Sequence, residues 1–318
     1  MHTIHTAVND FLKHCKYEKN LSDKTIKAYS IDLKQLTGFL IRKSFPVEIT
    51  GITKAELKLF LEELSVLKPK SIRRKVATIK AMFNYLEFED IITANPLRKM
   101  QVKIKEPKRL PKVMDIKEIR QIFNSAYSRN QSIKDNRSYS YSETLRNIVV
   151  VELLFATGAR VSEIAGLKKE NISISTGTVI IRGKGNKERF IQICNKETLK
   201  ILNDYSSLFA GKIDSSGGYF LINRLGKKLS DQSIRIIVKN LAKEARIQKH
   251  ITPHVFRHTF ATLLLEKDVD IKYIQSLLGH SSIMTTQIYT HVNHEKQKQI
   301  LRTKHPRKDF SMLASLAV

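Results

Sequence analysis

Apolar residues recur every three to four positions through the first hundred residues, the spacing of one helical face. Ile4, Val8, Phe11, Leu12 and Cys15 form the first stripe. Ile26, Tyr29, Leu33, Leu36 and Leu40 repeat it behind Ser22, a residue suited to cap a helix. Thr53 with Glu56 three residues on has the form of a capping box ahead of Leu57, Phe60, Leu61 and Leu64. A fourth stripe runs Ile72, Val76, Ile79, Phe83 and Leu86. The pattern predicts four amphipathic helices packed through these faces.

The period breaks at Asn95-Pro96, and KIKEPKRLPK, Lys103 to Lys112, carries two prolines and no apolar period, so it reads as an interdomain linker. Beyond it the spacing predicts a helix from Ile116 to Ala126, an exposed loop over the polar stretch Ser128 to Glu143, and a strongly apolar helix from Ile148 to Ala156. A turn at Thr157-Gly158 then leads into another helix from about Val161. TVIIRGKGNKERFIQI alternates apolar and polar residues on either side of a Gly-Lys-Gly-Asn turn, the mark of a β-hairpin. From Ser230 the pattern is helical again, with Pro253 at a helix start and Gly279 at a helix end. The expected fold is mainly α with a small β-sheet: a helical N-terminal domain followed by a mixed α+β domain.

Composition sharpens this picture. The 318 residues fit two domains at roughly 150 residues each. Lys and Arg number 56 against 30 Asp and Glu, a net charge of +26, which calls for an anionic partner. With 42% hydrophobic residues the chain is no disordered basic tail. No run approaches the roughly 18 apolar residues of a membrane span, and the N-terminus lacks the apolar core and cleavage site of a signal peptide. Cys15 and Cys194, the two cysteines, are too few for a disulfide framework or a four-cysteine zinc site. Nucleic acid is therefore the expected partner, without a membrane, and a cytoplasmic location is expected.

Lys68, Lys70, Arg73, Arg74, Lys75 and Lys80 crowd the start of the fourth predicted helix. Cations are unfavourable at the positive end of a helix dipole, so an external anion is the natural compensation. Contact with a DNA backbone is expected in preference to a merely solvated basic face. The charged linker would lie along the same partner, letting the two domains close around a duplex.

Three further segments hold candidate chemistry. Thr252-Pro253-His254-Val255-Phe256-Arg257-His258 opens a helix with a cap residue and proline, and puts His254 and Arg257 on one face of its first turn, where unpaired N–H groups already attract anions. Capping and surface charge alone would also produce this pattern, and His254 with His258 has the spacing of a zinc pair without the glutamate of a metalloprotease motif. ATGARVSEIAGL holds Arg160 after a glycine turn with Glu163 three residues on, either an oriented functional arginine or an ordinary ion pair. IQSLLGHSSIMTTQIYTHV follows Gly279 with His280 and carries Tyr289, a residue type more often core than nucleophile.

Jointly the motifs say more. ATGARVSEI, GKGNKER, HVFRHTFAT, LLGHSS and IYTHV, in this order, resemble the tyrosine site-specific recombinases and integrases of the lambda-integrase class, closest to the Xer-like branch, over nearly the whole chain. The resemblance implies a core-binding, SAM-like DNA-clamp domain at 1–102, a linker at 103–112, a catalytic tyrosine-recombinase domain at 113–295, and a C-terminal tail at 296–318. It assigns Arg160, Lys184, His254, Arg257 and His280 to the catalytic set, Tyr289 as nucleophile and Glu163 as a supporting acid. It implies cleavage and rejoining of DNA through a 3′-phosphotyrosine and a Holliday junction, with no cofactor, metal or ATP. The implied assembly is a homotetramer on two DNA sites, or a heterotetramer with a paralogue. The tail is expected to dock on a neighbouring protomer through Ile300, Leu301, Phe310, Met312, Leu313 and Leu316. Relaxation of supercoils by a type IB topoisomerase route and a catalytically silent DNA-binding accessory or repressor protein are the alternatives. Chromosome- or plasmid-dimer resolution, integration of a mobile element and inversion all fit the same residues.

Overall fold

The computed structural model describes residues 2–100, 102–105, 112–183, 187–279, 294–310 and 312, with 294–297 described by backbone alone. The chain divides into two compact units, Met1–Arg109 and Leu110–Val318.

The first unit is all helical: α1 (Ile4–Tyr17), α2 (Asp23–Arg42), α3 (Lys54–Glu63) and α4 (Pro69–Phe88), in the order the apolar stripes predict. Each start has its local cause. The Ser22 hydroxyl accepts from the Thr25 N–H, and at α3 the Thr53 hydroxyl accepts from the Ala55 N–H while Glu56 reaches back to the Thr53 N–H at 2.8 Å. The stripes meet in one core of Phe11, Leu33, Leu36, Phe39, Phe60, Ile79, Phe83 and their neighbours, with the Phe39 and Phe60 rings 5.1 Å apart.

The second unit is built around α6 (Tyr139–Thr157), which is buried on almost every side from Thr144 onward. Against it pack α5 (Ile116–Gln131), α8 (Lys196–Leu208), α10 (Asp231–Glu244) and α11 (Pro253–Glu266). Shorter pieces complete the unit: α7 (Val161–Ala165), α9 (Ala210–Ser215), α12 (Ile271–Leu278) and α13 (His294–Lys304). The hairpin is present as β2 (Thr178–Arg182) and β3 (Glu188–Gln192), antiparallel with Val179 opposite Ile191, and the short β1 (Ile172–Ser173) adds a third strand beside β2.

One expectation fails between α5 and α6. The polar stretch from Ser128 to Glu143 is not one exposed loop, because α5 runs on to Gln131 and α6 begins at Tyr139. Ser138 caps α6 by accepting from the Tyr141 N–H, and the Asn130 side chain donates to the Tyr141 carbonyl and the Thr144 hydroxyl, tying the two helix ends together. Polar side chains that satisfy helix ends look like loop in composition while building helix in fact.

The tail requires a second correction. Leu301, Phe310 and Met312 are buried in the core of their own unit, with Ile300 packed against it, so these side chains are not available to a neighbouring protomer. Leu313 and Leu316 lie outside the described residues. The physical reason is Glu152, a fully buried carboxylate in the middle of α6. It accepts from the Tyr127 hydroxyl at 2.6 Å, the Thr198 hydroxyl at 2.7 Å and Arg307 Nη2 at 2.8 Å. A buried acid needs a buried cation, and the C-terminal turn Pro306–Asp309 delivers one. The Arg307 guanidinium also lies 4.6 Å over the Phe310 ring.

Next to it, His305 is locked in one tautomer: Nε2 donates to the Ala156 carbonyl at 3.1 Å while Nδ1 accepts from the Arg307 N–H at 3.0 Å. A proton on Nδ1 would face that N–H. Burial above all, then the Arg307 and Lys267 charges, hold its pKa down to about 4. An unfolded histidine takes up its proton below about pH 6.5, so the contribution of this group is constant above that pH and lowers stability as the pH drops from there towards 4. The slope contributed by this group amounts to about 3 kcal/mol over the window. Urea unfolding at a series of pH values should show it, and His305→Gln should flatten it.

Candidate active site

The site grows from the turn that ends α6. Gly158 closes the helix in the left-handed conformation at φ 58°, its N–H bonding the Leu154 carbonyl at 3.1 Å. A Cβ there would lie 2.5 Å from the Phe260 ring, so both the backbone angle and the packing call for glycine. Two residues on, Arg160 precedes α7. Glu163 reaches back to the Arg160 N–H at 2.8 Å and takes Nη1 of the same residue, also at 2.8 Å.

Glu163 has a second cation. Arg189 on β3 places Nη2 2.7 Å from Glu163 Oε2 and Nη1 3.3 Å from Oε1. Burial pushes the carboxyl up, but the hydrogen bonds and charge of Arg189, joined by the Arg160 bonds, outweigh it and the net direction is down, so Glu163 is ionised.

Arg257, on α11 and one turn in from the Thr252 cap, is buried and donates Nη1 to the Gly158 carbonyl at 2.8 Å and Nη2 to the Leu278 carbonyl at 2.7 Å. Arg160 Nη2 approaches the next carbonyl, Gly279, at 3.3 Å, and Arg189 Nε donates to the one before, Leu277, at 2.8 Å. Three successive carbonyl groups at the C-terminus of α12 thus each meet a different guanidinium. Helix ends leave these oxygens without intrahelical partners and with partial negative charge, so cations belong there.

Each guanidinium has five donors, and Arg160 and Arg257 each commit two side-chain donors among the described residues. The rest can serve a ligand. Burial, then the nearby Arg160 charge, lowers the Arg257 pKa to about 10, so it stays cationic at neutral pH in a place where a second cation repels it. An anion between them would relieve that repulsion. His254 lies exposed on the first turn of α11, and burial of part of its ring, then the charges of His258, Arg257, Arg235 and Arg160, hold its pKa below the ordinary value. Its imidazole is therefore neutral at pH 7 and able to accept a proton. Of the sequence candidates, Arg160, Glu163, Arg257 and His254 come together here. Lys184, His280 and Tyr289 lie outside the described residues, although His280 follows directly on Gly279 in the chain.

Comparison with known proteins agrees with this geometry. The phage integrase family matches residues 112–296, and the phage integrase N-terminal SAM-like domain matches residues 8–90. A tyrosine recombinase of Agathobacter rectalis is 45% identical over 311 residues, covering 98% of this chain and 99% of its own. The chain belongs to the phage integrase family and is a tyrosine recombinase. The tyrosine recombinase XerD of Halalkalibacterium halodurans is 36% identical over 96% of the chain and 100% of its own, and XerC of Listeria innocua 34% identical over 93% and 96%. Among solved structures, XerH site-specific recombinase bound to palindromic difH substrate in a post-cleavage complex shares the fold at a TM-score of 0.68, with 20% identity over 97% of this chain and 84% of that one. A lambda integrase tetramer bound to a Holliday junction does so at 0.64, with 20% identity over 89% and 76%.

Arg189 is the residue of the recombinase that the sequence reading passed over, although it stands inside GKGNKER. Its signal is phase: it shares a strand face with the buried Ile191, and a charge on the inward side of a strand needs a partner.

The basic start of α4 divides. Lys68, Lys70 and Arg73 are exposed and Lys80 is half-buried. Lys75 is a correction: it is buried, with Nζ 2.9 Å from Asp32 Oδ1 and bonded to Gln35, so it has no path to a phosphate. Arg74 donates to the other Asp32 oxygen at 2.5 Å while its side chain remains about half exposed. Asp32 is fully buried on α2, and Lys75 and Thr78 turn inward to meet it.

Two stability measurements follow from these contacts. Lys75→Ala should destabilise the first unit by about 3 kcal/mol, by leaving Oδ1 of the buried Asp32 carboxylate without its cation, while exposed Lys70→Ala should stay within about 0.5 kcal/mol. Gly158→Ala should cost about 2 kcal/mol or more through the Phe260 clash and left-handed strain, whereas Gly211→Ala, in open space within α9, should be neutral or slightly stabilising. Urea denaturation monitored by circular dichroism would read both.

Proposed function

We propose that this tyrosine recombinase performs site-specific DNA recombination through a 3′-phosphotyrosine intermediate, with Arg160, Lys184, His254, Arg257, His280 and Tyr289 as its catalytic set. The observation that carries the reading is the pinning of Arg160 and Arg257 on the carbonyls of Gly158, Leu278 and Gly279, immediately before the segment that contains His280 and Tyr289.

Arg160 and Arg257 hold the non-bridging oxygens of the scissile phosphate and stabilise the charge that builds on them in the five-coordinate transition state. The Tyr289 oxygen bonds to phosphorus as the bond to the 5′ oxygen breaks. A phenol of ordinary pKa near ~10 must shed its proton on the way, and neutral His254 accepts it. His280 donates a hydrogen bond to a phosphate oxygen, and Lys184 protonates the departing 5′ oxygen. The phosphotyrosine ester keeps the energy of the broken bond, so a 5′-hydroxyl from a partner strand reverses the steps without ATP, metal or cofactor. Four protomers on two DNA sites, as a homotetramer or with a paralogue, would exchange strands in pairs through a Holliday junction. Lys68, Lys70, Arg73 and Lys80, joined by the exposed part of Arg74, are the surface offered to the DNA backbone, and the bacterial nucleoid is where such a protein works.

The test is a nicked suicide substrate run on a denaturing gel. The wild-type chain should form a covalent adduct and Tyr289→Phe none while binding the same DNA. Arg160→Ala and Arg257→Ala should each raise the cleavage barrier by about 2 kcal/mol or more. A 5′-phosphorothiolate leaving group, which needs no proton, should restore cleavage to Lys184→Ala. Undiminished adduct in Tyr289→Phe would overturn the nucleophile, and relaxation without site-dependent products from a two-site plasmid would assign a topoisomerase instead.

A further inference from the structure

We propose that Arg189 is a positioning residue of the recombination reaction, holding Glu163, and through it Arg160, in register with the end of α12. The proposal rests on the reading of the site given above and adds to it a group that never touches the DNA.

Three of the five side-chain donors of Arg189 are committed inside the protein. Nε donates to the Leu277 carbonyl at 2.8 Å, Nη2 to Glu163 Oε2 at 2.7 Å and Nη1 to Glu163 Oε1 at 3.3 Å, and about 10% of the side chain is exposed. Three internal acceptors fix the orientation of this mostly buried guanidinium. What it does is join three elements: β3, the N-terminal end of α7 that holds Arg160, and the C-terminus of α12. Gly279 admits it closely, since a Cβ there would stand 3.1 Å from Arg189 Nη1.

Glu163 is the hinge of this arrangement. Its side chain is 4% exposed, and it faces Arg160 at the start of its own helix and Arg189 from β3, while Arg257 on α11 also feels its charge. Burial favours the protonated acid, and the bonds from Arg189 are foremost among those opposing it. Without Arg189 the carboxyl takes up a proton at higher pH, and a protonated Glu163 has one acceptor oxygen fewer for the Arg160 fork. A merely structural arginine would not couple cleavage to the titration of Glu163.

The experiment compares wild type, Arg189→Gln, Arg189→Lys and Arg189→Gln/Glu163→Gln on the suicide substrate across pH, with affinity for uncleaved DNA measured alongside. Arg189→Gln should form adduct about 100-fold more slowly, the penalty of a misplaced catalytic group, with affinity unchanged within about twofold. Its rate relative to wild type should fall further as the pH is lowered. The double variant, with no carboxyl to titrate, should lose that extra pH dependence. Wild-type cleavage by Arg189→Gln, or a deficit that is independent of pH and matched by lost affinity, would overturn the proposal. If wild type itself forms no adduct, the recombinase chemistry fails separately. The 13C-NMR titration of the Glu163 carboxyl then decides the positioning role, an upward shift in Arg189→Gln supporting it and no shift overturning it. Should the Gln variant not fold, Arg189→Lys, which keeps the charge without the three-way fork, is read in the same assays and should show a smaller upward shift and a partial rate loss.

Discussion

The end of α12 is held by three guanidiniums, one on each of the carbonyls of Leu277, Leu278 and Gly279. Any helix must find partners for its last carbonyl oxygens, and the usual solution is water or a glycine turn. Here the cations that meet them come from three distant parts of the sequence, Arg160 before α7, Arg189 on β3 and Arg257 on α11. The same bonds orient the arginines and fix where the chain leaves the helix. Because Gly279 is followed directly by His280, the direction of that exit and the placement of the guanidiniums are one constraint.

A chain with a net charge of +26 must keep its cations from repelling one another inside the fold. Among the described residues, three acids that are buried or nearly so take up cations: Asp32 meets Arg74 and Lys75, Glu163 meets Arg160 and Arg189, and Glu152 meets Arg307 together with the hydroxyls of Tyr127 and Thr198. The Glu152 cluster acts on the C-terminal turn. It draws the turn at Pro306–Asp309 onto the unit's own core and leaves His305 neutral beside it. Ion pairs so deep contribute little net stability when intact and cost several kcal/mol when broken, so they act as fixed points of the architecture.

The helical stripes, the capping boxes and the hairpin were legible because each depends on neighbours in sequence. Ser22, Thr53 and Pro253 cap or open the helices expected of them, and Gly279 ends one. Apart from the stretch between α5 and α6, whose partners are local, the misread places depend on partners far along the chain. Lys75 looked like part of a basic surface because Asp32, forty-three residues earlier, is its acceptor. Arg189 drew no reading of its own because its acceptors, Glu163 and Leu277, lie far from it in the chain. The tail looked available to a neighbouring protomer because Glu152 is 155 residues away from Arg307. In each case the available sign was a charge standing on an apolar phase: Asp32 beside Leu33 and Leu36, Glu152 within IVVVELLFA, Arg189 on the side of Ile191.

The arginine pair also bears on why such a site would favour reaction over tight binding. Arg257, buried and close to another cation, is already pushed down to about 10, which means its charge is held at an electrostatic cost that Glu163 and the helix carbonyls offset in part. On the proposed reading, a phosphodiester would bring one negative charge to that place, and its five-coordinate transition state two. The interaction would then strengthen as the bond to phosphorus forms, which is the condition for lowering a barrier rather than only a dissociation constant. Carbonyl partners matter to this logic because they are dipoles, not countercharges. They aim the guanidiniums and leave most of the positive charge uncancelled, whereas a carboxylate on Arg257 would have neutralised it. Glu163 is instead shared between Arg160 and Arg189, so that one acid is divided over two cations.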